Sequence, residues 1–431
     1  MKLGKDTMKQ TTKEILYFIS PNHSMRFLND KNLLLEKDIL TFSSVVFNIE
    51  TIFRMKDSVF EVTIPISEET ATRCDLKKIK SETERLLKYV LMNEIIITFN
   101  IKTDCSKGKR DYNLNFKKHS TVCLFSGGVD SYSGIIKSKE VYDDLVGVNI
   151  AHGDQAKGVY IVRKIYSEKL KSINIPIYTL HAPPMKRYGY SQLRGFLYCM
   201  YGAIYLSLLN AKNLLITECG PTMYQSRFSP FDSVTMTTHP YVLQRTRTII
   251  ELFLGRPINM ITPFENLTKA EVLAVSPKNL SFSSTHSCIS LGTGRNCGHC
   301  YGCIVRRLGA IVADREDALY DKDPITQDFE KGDNLISLLR FSYDILINYE
   351  KMNFTSKENI FVYKKQRLFK RFALDNFAAL YILRSKKISI NPHLENLYTS
   401  MIKHIGTEPL KKRISDVRAG RDIPNFARKV S

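Results

Sequence analysis

The chain has 431 residues, a formal net charge of +20 and a hydrophobic fraction of 43%. This length accommodates two or three domains with a sizeable core, and the composition is that of a globular protein. The most apolar run, residues 197–209, is too short to span a bilayer and is predicted to be a buried helix. The N-terminus lacks a signal-peptide pattern, so a cytoplasmic protein is expected.

Residues 1–115 are predicted to form an α+β N-terminal region. Four runs have the apolar character of strands, and a helix-like segment, DLKKIKSETERLLKYVLM, precedes the last of them. The strand-like runs are ILYFIS, VVFNIE, VFEVTIPI and EIIITFNI. The region contains no catalytic signature, so the residues that indicate a function lie further along the chain.

Residues 116–325 are predicted to form an α/β core with a parallel sheet, because apolar strands alternate there with amphipathic helices. The predicted strands are TVCLF, LVGVNI, PIYTL and NLLITEC, and the predicted helices cover 129–138, 155–172, 191–209 and 240–254.

Residues 326–431 are predicted to be mainly helical and are strongly basic. From Lys351 to Ser431 the chain carries 18 Lys and Arg against 6 Asp and Glu, a net +12, with clusters KKQRLFKR and KKRISDVRAGR. A field of this size attracts nucleic acid or an acidic partner protein. A solvated helical surface with extra lysines explains the same charge, so both interpretations stay open.

The segment TVCLFSGGVDSYSG, residues 121–134, combines a strand, a glycine turn and a helix. In such a turn the unpaired amides carry the positive end of the helix dipole, and glycines let a phosphate approach them. Ser126 and Ser131 add hydroxyl donors. Asp130 repels phosphate, so it either caps the helix or holds a Mg²⁺ ion that bridges phosphates. An ordinary tight turn is the alternative.

Four cysteines follow a metal-binding spacing in SCISLGTGRNCGHCYGCIVRR, residues 287–307. They are Cys288, Cys297, Cys300 and Cys303. Four thiolates suit tetrahedral Zn²⁺, and a closed four-sulfur shell is structural. An iron–sulfur cluster could use the same ligands, but nothing else in the sequence suggests redox chemistry. Disulfides are not expected in a cytoplasmic chain.

SGGVDS resembles the PP-loop of the ATP pyrophosphatase superfamily, whose motif is SGGxDS. Together with the cysteine cluster it resembles the 7-cyano-7-deazaguanine synthase family, QueC, over about 118–312. Further matching pieces are AHGDQAKG, LRGFLYCMYGAIYLSLL, LLITECGP and PFENLTKAEVL. The resemblance implies an adenine nucleotide alpha hydrolase-like core with a zinc knuckle. It also implies an enzyme that adenylates a 7-deazaguanine carboxylate, releases pyrophosphate and AMP, and forms an amide or nitrile.

The resemblance implies roles for individual residues. Pyrophosphate, with Mg²⁺, would be held by Ser126, Gly127, Gly128, Asp130 and Ser131. With Lys269, the residues Ser126, Asp130 and Ser131 would be catalytic, and Lys269 would balance phosphate charge; a surface lysine is the alternative. Backbone groups of Val148 and Ile150 would contact adenine.

The implied substrate-binding residues are less regular. They are Arg194, Glu218, Tyr224, Gln225 and Lys157. A carboxylate such as Glu218 can accept two hydrogen bonds from an aminopyrimidinone, although a helix cap or loop residue would look the same. Lys157 stands where the family has an arginine, and lysine lacks the fork geometry of arginine.

The chain extends beyond the family's core on both sides, an architecture similar to the QueC-like QatC proteins of bacterial anti-phage defence. The resemblance therefore allows a second function, transfer of the activated deazaguanine to an amine, such as the N-terminus, of a partner protein docked on the flanking regions. A third hypothesis is a non-catalytic nucleic-acid-binding zinc module. It explains the basic C-terminal region but not the intact SGGVDS.

Overall fold

The computed structural model describes ten stretches of the chain. They are residues 33–53, 60–103, 118–152, 156–182, 192–224, 237–288, 295–326, 334–352, 360–421 and 423–424. The predicted strand ILYFIS and the predicted substrate residue Gln225 lie outside these stretches.

The first helix in the described part of the N-terminal region, α1 (Leu34–Phe53), covers VVFNIE, which is predicted to be a strand. That prediction is wrong because the run is part of a longer pattern. Apolar residues recur every three or four positions, which is the spacing of one helix face. They are Leu35, Ile39, Phe42, Val46 and Ile49, all buried. A window of six residues is too short to show this period.

The two other predicted strands of this region are confirmed as β1 (Phe60–Ser67) and β2 (Ile95–Lys102). They pair in parallel, with Phe60 opposite Ile95. Parallel neighbours need a crossover connection. The crossover consists of α2 (Glu68–Arg73) and α3 (Leu76–Leu91). Helix α3 confirms the helix predicted from DLKKIKSETERLLKYVLM.

The core is a five-stranded parallel sheet with the order β5-β4-β3-β6-β7. Its strands are β3 (Thr121–Leu124), β4 (Leu145–His152), β5 (Ile177–Ala182), β6 (Asn213–Leu215) and β7 (Asn259–Ile261). The chain starts in the middle, moves to one edge, then returns to the other side of β3. In open α/β sheets ligands bind outside the carboxyl ends of the strands at such a switch point, so the turn after β3 is the expected place.

Four of the seven described core helices confirm the predicted helices, and the other three, at 220–223, 269–275 and 301–313, were not among those predicted from the apolar pattern. The seven helices are α4 (Val129–Lys139), α5 (Ala156–Ile165), α6 (Arg194–Leu208), α7 (Gly220–Met223), α8 (Pro240–Leu254), α9 (Lys269–Val275) and α10 (Tyr301–Ala313). After α5 the chain continues through a π-helical turn, Tyr166–Leu170, and a 3-10 turn, Lys171–Ile173. The helix predicted at 240–254 has the predicted bounds.

The strand predicted from NLLITEC is shorter than expected, because β6 ends at Leu215. The amide of Ile216 still donates to the carbonyl of Ile261 on β7, and residues 217–219 then approach the start of α4, where the amide of Cys219 donates to Asp130 Oδ2 over 3.3 Å. This course brings Glu218 to the carboxyl edge of the sheet.

The C-terminal region is helical, as predicted. Its helices are α11 (Asn334–Ile347), α12 (Ile360–Lys364), α13 (Gln366–Ser385), α14 (Pro392–Ile405) and α15 (Glu408–Arg418). Helix α13 packs against α10, α11 and α15, so the region is joined to the core.

One hydrophobic cluster includes side chains from all three predicted units, such as Phe42, Phe196 and Phe372. Ser44 of α1 and Tyr201 of α6 also share a buried hydrogen bond of 2.9 Å. The boundaries near 115 and 325 stay a prediction. Among the helices in the described stretches, none combines the length and apolarity that crossing a membrane requires.

Candidate functional site

The glycine turn lies at the carboxyl end of β3, between Leu124 and the start of α4. Gly127 has φ +80°, and a Cβ there would lie 3.1 Å from Ile161 Cγ2. Gly128 is the N-cap of α4 and provides no side-chain cap. Glycine therefore meets two requirements at Gly127, a left-handed backbone and close packing under the turn.

The hydroxyls and amides of the turn are already in contact with one another. Ser126 Oγ and Ser131 Oγ lie 3.1 Å apart, and Ser126 Oγ accepts from the amide of Gly128 over 3.3 Å. The Val129 amide donates to Ser287 Oγ over 3.4 Å. The hydrogen bonds donated by these two amides are both long, and both are accepted by hydroxyl groups, which can rotate. The sequence predicts unpaired amides in this turn, but both amides have partners. An incoming anion would therefore have to replace these two weak hydrogen bonds.

Asp130, on the first turn of α4, forms a buried ion pair with Lys269, on the first turn of α9. Lys269 Nζ lies 2.5 Å from Asp130 Oδ2, and only about a tenth of each side chain is exposed. Burial by itself lowers the pKa of Lys269, but the charge of the nearby Asp130 leads the contributions that outweigh it and raise the pKa overall. Lys269 is thus a charged, buried ammonium directed at the glycine turn.

The second oxygen of Asp130, Oδ1, is buried and accepts no hydrogen bond from a fixed donor in the described residues. Oxygens of Asp130 and Glu218 and the Sγ of Cys219 lie within 4.8 Å of one another. Burial, and then the charge of Asp130, raise the pKa of Glu218 to about 8. At neutral pH Glu218 therefore keeps its proton and can donate it to Asp130, because two adjacent buried carboxylates do not both ionise.

Two predicted substrate residues have different partners, since Arg194 acts on Glu218 through its charge and Tyr224 contacts Glu265. Arg194, exposed at the start of α6, lowers the pKa of Glu218 through its charge and so lies within electrostatic reach of it. Tyr224 is buried, and its hydroxyl donates to Glu265 Oε1. Lys157 is the second residue of α5, and its side chain lies outside the part of the chain that the structure describes.

The predicted adenine contacts, Val148 and Ile150, lie on β4. The Val148 carbonyl accepts from the Phe125 amide over 2.8 Å, beside the end of β3. Backbone groups in a parallel strand alternate between its two neighbours, so those of Ile150 point to the same side as those of Val148. Since β3 ends at Leu124, that side opens above the glycine turn.

The four cysteines come together as the spacing predicts. Their sulfurs lie within 4.8 Å of one another, and two of the pairs, Cys297 with Cys303 and Cys288 with Cys300, are 3.9 Å apart. Zinc–sulfur bonds of about 2.3 Å place the sulfurs of a tetrahedral site about 3.8 Å apart. The four residues therefore fit a zinc ion, whose part would be structural.

The knuckle is compact because Gly298, between the second and third cysteines, has φ +86°. A Cβ at Gly298 would lie 1.6 Å from the carbonyl oxygen of Lys322, so only glycine fits. The amide of Cys300 donates to Cys297 Sγ over 3.4 Å.

The residues that lead into the knuckle contact the glycine turn. The His286 amide donates to the Gly127 carbonyl over 3.0 Å, and Ser287 Oγ accepts from Val129. Arg306, fully buried, donates to the carbonyls of Thr285 and Phe282 over 2.9 Å and so holds this segment. The cysteine site and the glycine turn are therefore one connected unit.

Sequence reasoning missed several residues that hold the site. Ser287 and Glu265 lie within two quoted segments, the cysteine cluster and PFENLTKAEVL, but no role was predicted for either. Arg371 and Arg413 lie within the basic clusters KKQRLFKR and KKRISDVRAGR, yet both donate to Glu271 over 2.7 Å inside the protein. No local signal separates these two arginines from the solvated basic residues beside them in the sequence.

The geometry defines an α/β protein with parallel sheets, many helices and a four-cysteine site that could hold zinc. The family model described as "QueC: Queuosine biosynthesis protein QueC" matches residues 237–313. The match includes α8, α9 and the cysteine cluster, but not the glycine turn. It supports a QueC-like family and suggests an ATP-utilising synthase.

Proposed function

We propose that this chain is a QueC-like enzyme of the PP-loop type that adenylates a 7-deazaguanine carboxylate in the cytoplasm. One observation carries the proposal, the contact of 2.5 Å between Lys269 Nζ and Asp130 Oδ2. It joins the SGGVDS turn, which lies outside the matched segment, to a helix inside it. Two independent indications of ATP chemistry thus meet at one buried pair.

The proposed reaction begins when a carboxylate oxygen attacks the α-phosphorus of ATP. The bond from the α-phosphorus to the bridging oxygen breaks, and pyrophosphate leaves from the turn formed by residues 126–131. Ammonia then attacks the acyl carbon, loses a proton and expels AMP, which gives the amide. A second ATP would activate the amide oxygen in the same way, again with release of pyrophosphate. The nitrogen then loses its two protons, the bond from carbon to oxygen breaks, and AMP leaves with that oxygen to give the nitrile.

The chain's own groups would position the two anions and balance their charge. Lys269 supplies a positive charge at the turn, and Gly128 and Val129 supply amides. Positioning and charge stabilisation of this kind provide most of the acceleration in phosphoryl and nucleotidyl transfer. Mg²⁺ is part of the proposal, since the buried Oδ1 of Asp130 fits a hard cation.

A deazaguanine would meet Glu218 and Arg194 at the edge beyond β6. Protonated Glu218 can donate to a ring nitrogen or carbonyl, and ionised Glu218 can accept from an amino group. Substrate binding and proton release from this residue are therefore coupled in the proposal.

Transfer to an amine of a partner protein, in anti-phage defence, is the second proposal. It is favoured by two exposed apolar side chains of the N-terminal region, Ile96 and Ile101 on β2, which lie on opposite faces of the strand and are each available to a partner. A nucleic-acid module is less favoured, because Lys365, Arg371 and Arg413 of the basic clusters form ion pairs with Glu265 and Glu271 inside the protein.

The test is incubation with 7-carboxy-7-deazaguanine, ATP, Mg²⁺ and ammonium, followed by chromatography of nucleotides and mass spectrometry of the product. We expect AMP and pyrophosphate in equal amounts, with an amide or nitrile. Asp130→Asn should abolish AMP formation, whereas Asp314→Asn, at an exposed position, should not. AMP formed only when a partner protein is added, with a mass increase on that protein, would replace the first proposal by the second.

A further inference from the structure

The first turn of α9 is held by residues of the C-terminal region. Glu271, fully buried, completes a capping box in which its Oε2 accepts from the Thr268 amide over 2.9 Å. Its Oε1 accepts from Arg371 Nε of α13 and from Arg413 Nη2 of α15, each over 2.7 Å. One carboxylate therefore ties the start of α9 to two helices far along the chain.

The two arginines are themselves fixed. Arg413 is buried and donates from Nε to Asp375 Oδ1 over 2.7 Å. Arg371 donates from Nη2 to the carbonyl of Asn266 over 2.6 Å, in the loop before α9. Every charged group in the cluster thus has an opposite partner, and the loop, the cap and the first turn are held together.

Lys269 lies between Thr268 and Glu271 in this fixed turn. Its stem is confined as well, since a Cβ on Gly309 of α10 would lie 3.0 Å from Lys269 Cγ. The direction of its ammonium towards Asp130 is therefore set by the position of the turn. A misplacement of about 1 Å at a reacting centre can cost about a hundredfold in rate.

We propose that Arg371 and Arg413 are positioning residues for Lys269, which makes the C-terminal helices a structural part of the ATP site. This inference rests on the proposed function for its kinetic consequence, but the positioning itself can be measured without turnover. It also assigns an inward role to part of the basic charge in the C-terminal region.

The experiment compares Arg371→Met and Arg413→Lys with a matched control, Arg384→Met. Arg384 also lies on α13 and pairs with Glu395 over 2.9 Å, away from α9. For each variant, AMP formation gives kcat and KM for ATP, and hydrogen exchange followed by mass spectrometry gives the protection of residues 268–275. Circular dichroism confirms that each variant is folded.

We expect both test variants to lower kcat/KM about tenfold to a hundredfold, mainly through kcat, and to speed exchange in α9. The control should change neither quantity more than twofold. Equal losses in Arg384→Met, or a folded Arg371→Met with unchanged exchange, would overturn the inference. If the wild-type chain forms no AMP, the proposed function fails, and the exchange result alone then decides whether the arginines hold α9.

Discussion

Removal of the charge on Asp130 should have two separable effects. Asp130→Asn leaves the buried ammonium of Lys269 without the partner that lies 2.5 Å away. Removing one member of a buried ion pair costs about 3–5 kcal/mol, because the other charge stays buried. Glu218 reduces this cost, since its pKa is raised partly by the charge of Asp130, and its ionisation would then supply a replacement. We therefore expect a loss near 3 kcal/mol.

The double variant Asp130→Asn with Lys269→Met separates stability from function. It removes both charges, so its loss in free energy of unfolding should be smaller than the sum of the two single losses by about 1–3 kcal/mol. Urea unfolding at pH 7, followed by circular dichroism, measures the four members of the cycle. AMP formation should be absent from all three variants, because those with Asp130→Asn lose the proposed cation ligand and those with Lys269→Met lose the positive charge at the turn.

Additivity in this cycle would refute the reasoning, since it would mean that Asp130 and Lys269 do not interact in the folded protein. AMP formation by Asp130→Asn at the wild-type rate would refute the assignment of the glycine turn. A stable but inactive double variant is the expected outcome.

Three further predictions concern the metal, the carboxyl group and the N-terminal helix. Cys300→Ser should lose bound zinc by elemental analysis and weaken pyrophosphate binding in calorimetry, because the knuckle contacts the turn through Ser287; unchanged metal content would contradict it. The raised pKa of Glu218 means that the folded state holds a proton that the unfolded state releases above pH 4.5, so stability should fall as pH rises towards about 8. Glu218→Gln should remove this dependence of stability on pH. If the free energy of unfolding fell equally with pH in the wild-type protein and in the variant, the prediction would be wrong. Phe42→Ala, at a fully buried position against Phe196, should cost about 3–5 kcal/mol in urea unfolding, whereas a loss below about 1 kcal/mol would show that α1 is not packed on α6.

The parallel core could be predicted because its signals are local. The four predicted strands and four predicted helices each carry an apolar pattern, and the strand, glycine turn and helix at 121–134 are contiguous. The strand β7 and the helix α7 have only three and four residues, too few to show a period, and were not predicted. The cysteine site could be predicted for the same reason as the core, since its four ligands fall within 288–303 and their spacing reflects the knuckle turns.

The partners of the site could not be predicted, because nothing local distinguishes an inward arginine from a solvated one. In the sequence Arg371 and Arg413 belong to basic clusters that suggest binding to a polyanion, but the fold directs both to Glu271. The error at α1 had a different cause, because VVFNIE suits a strand in isolation but the helical period of apolar residues is present in the longer run 35–49.

The sequence alone therefore determined which chemical groups the site contains, because the glycines, thiolates and carboxylate occur at fixed spacings within short stretches of the chain. Their effect depends on long-range packing: Asp130 meets Lys269, Glu218 loses its solvent and keeps its proton, and two distant arginines hold the turn that carries the lysine. The periodicity of apolar residues depends on neighbours in sequence, whereas the pairing and burial of charges depend on neighbours in space. Those spatial neighbours come together only when the chain has folded.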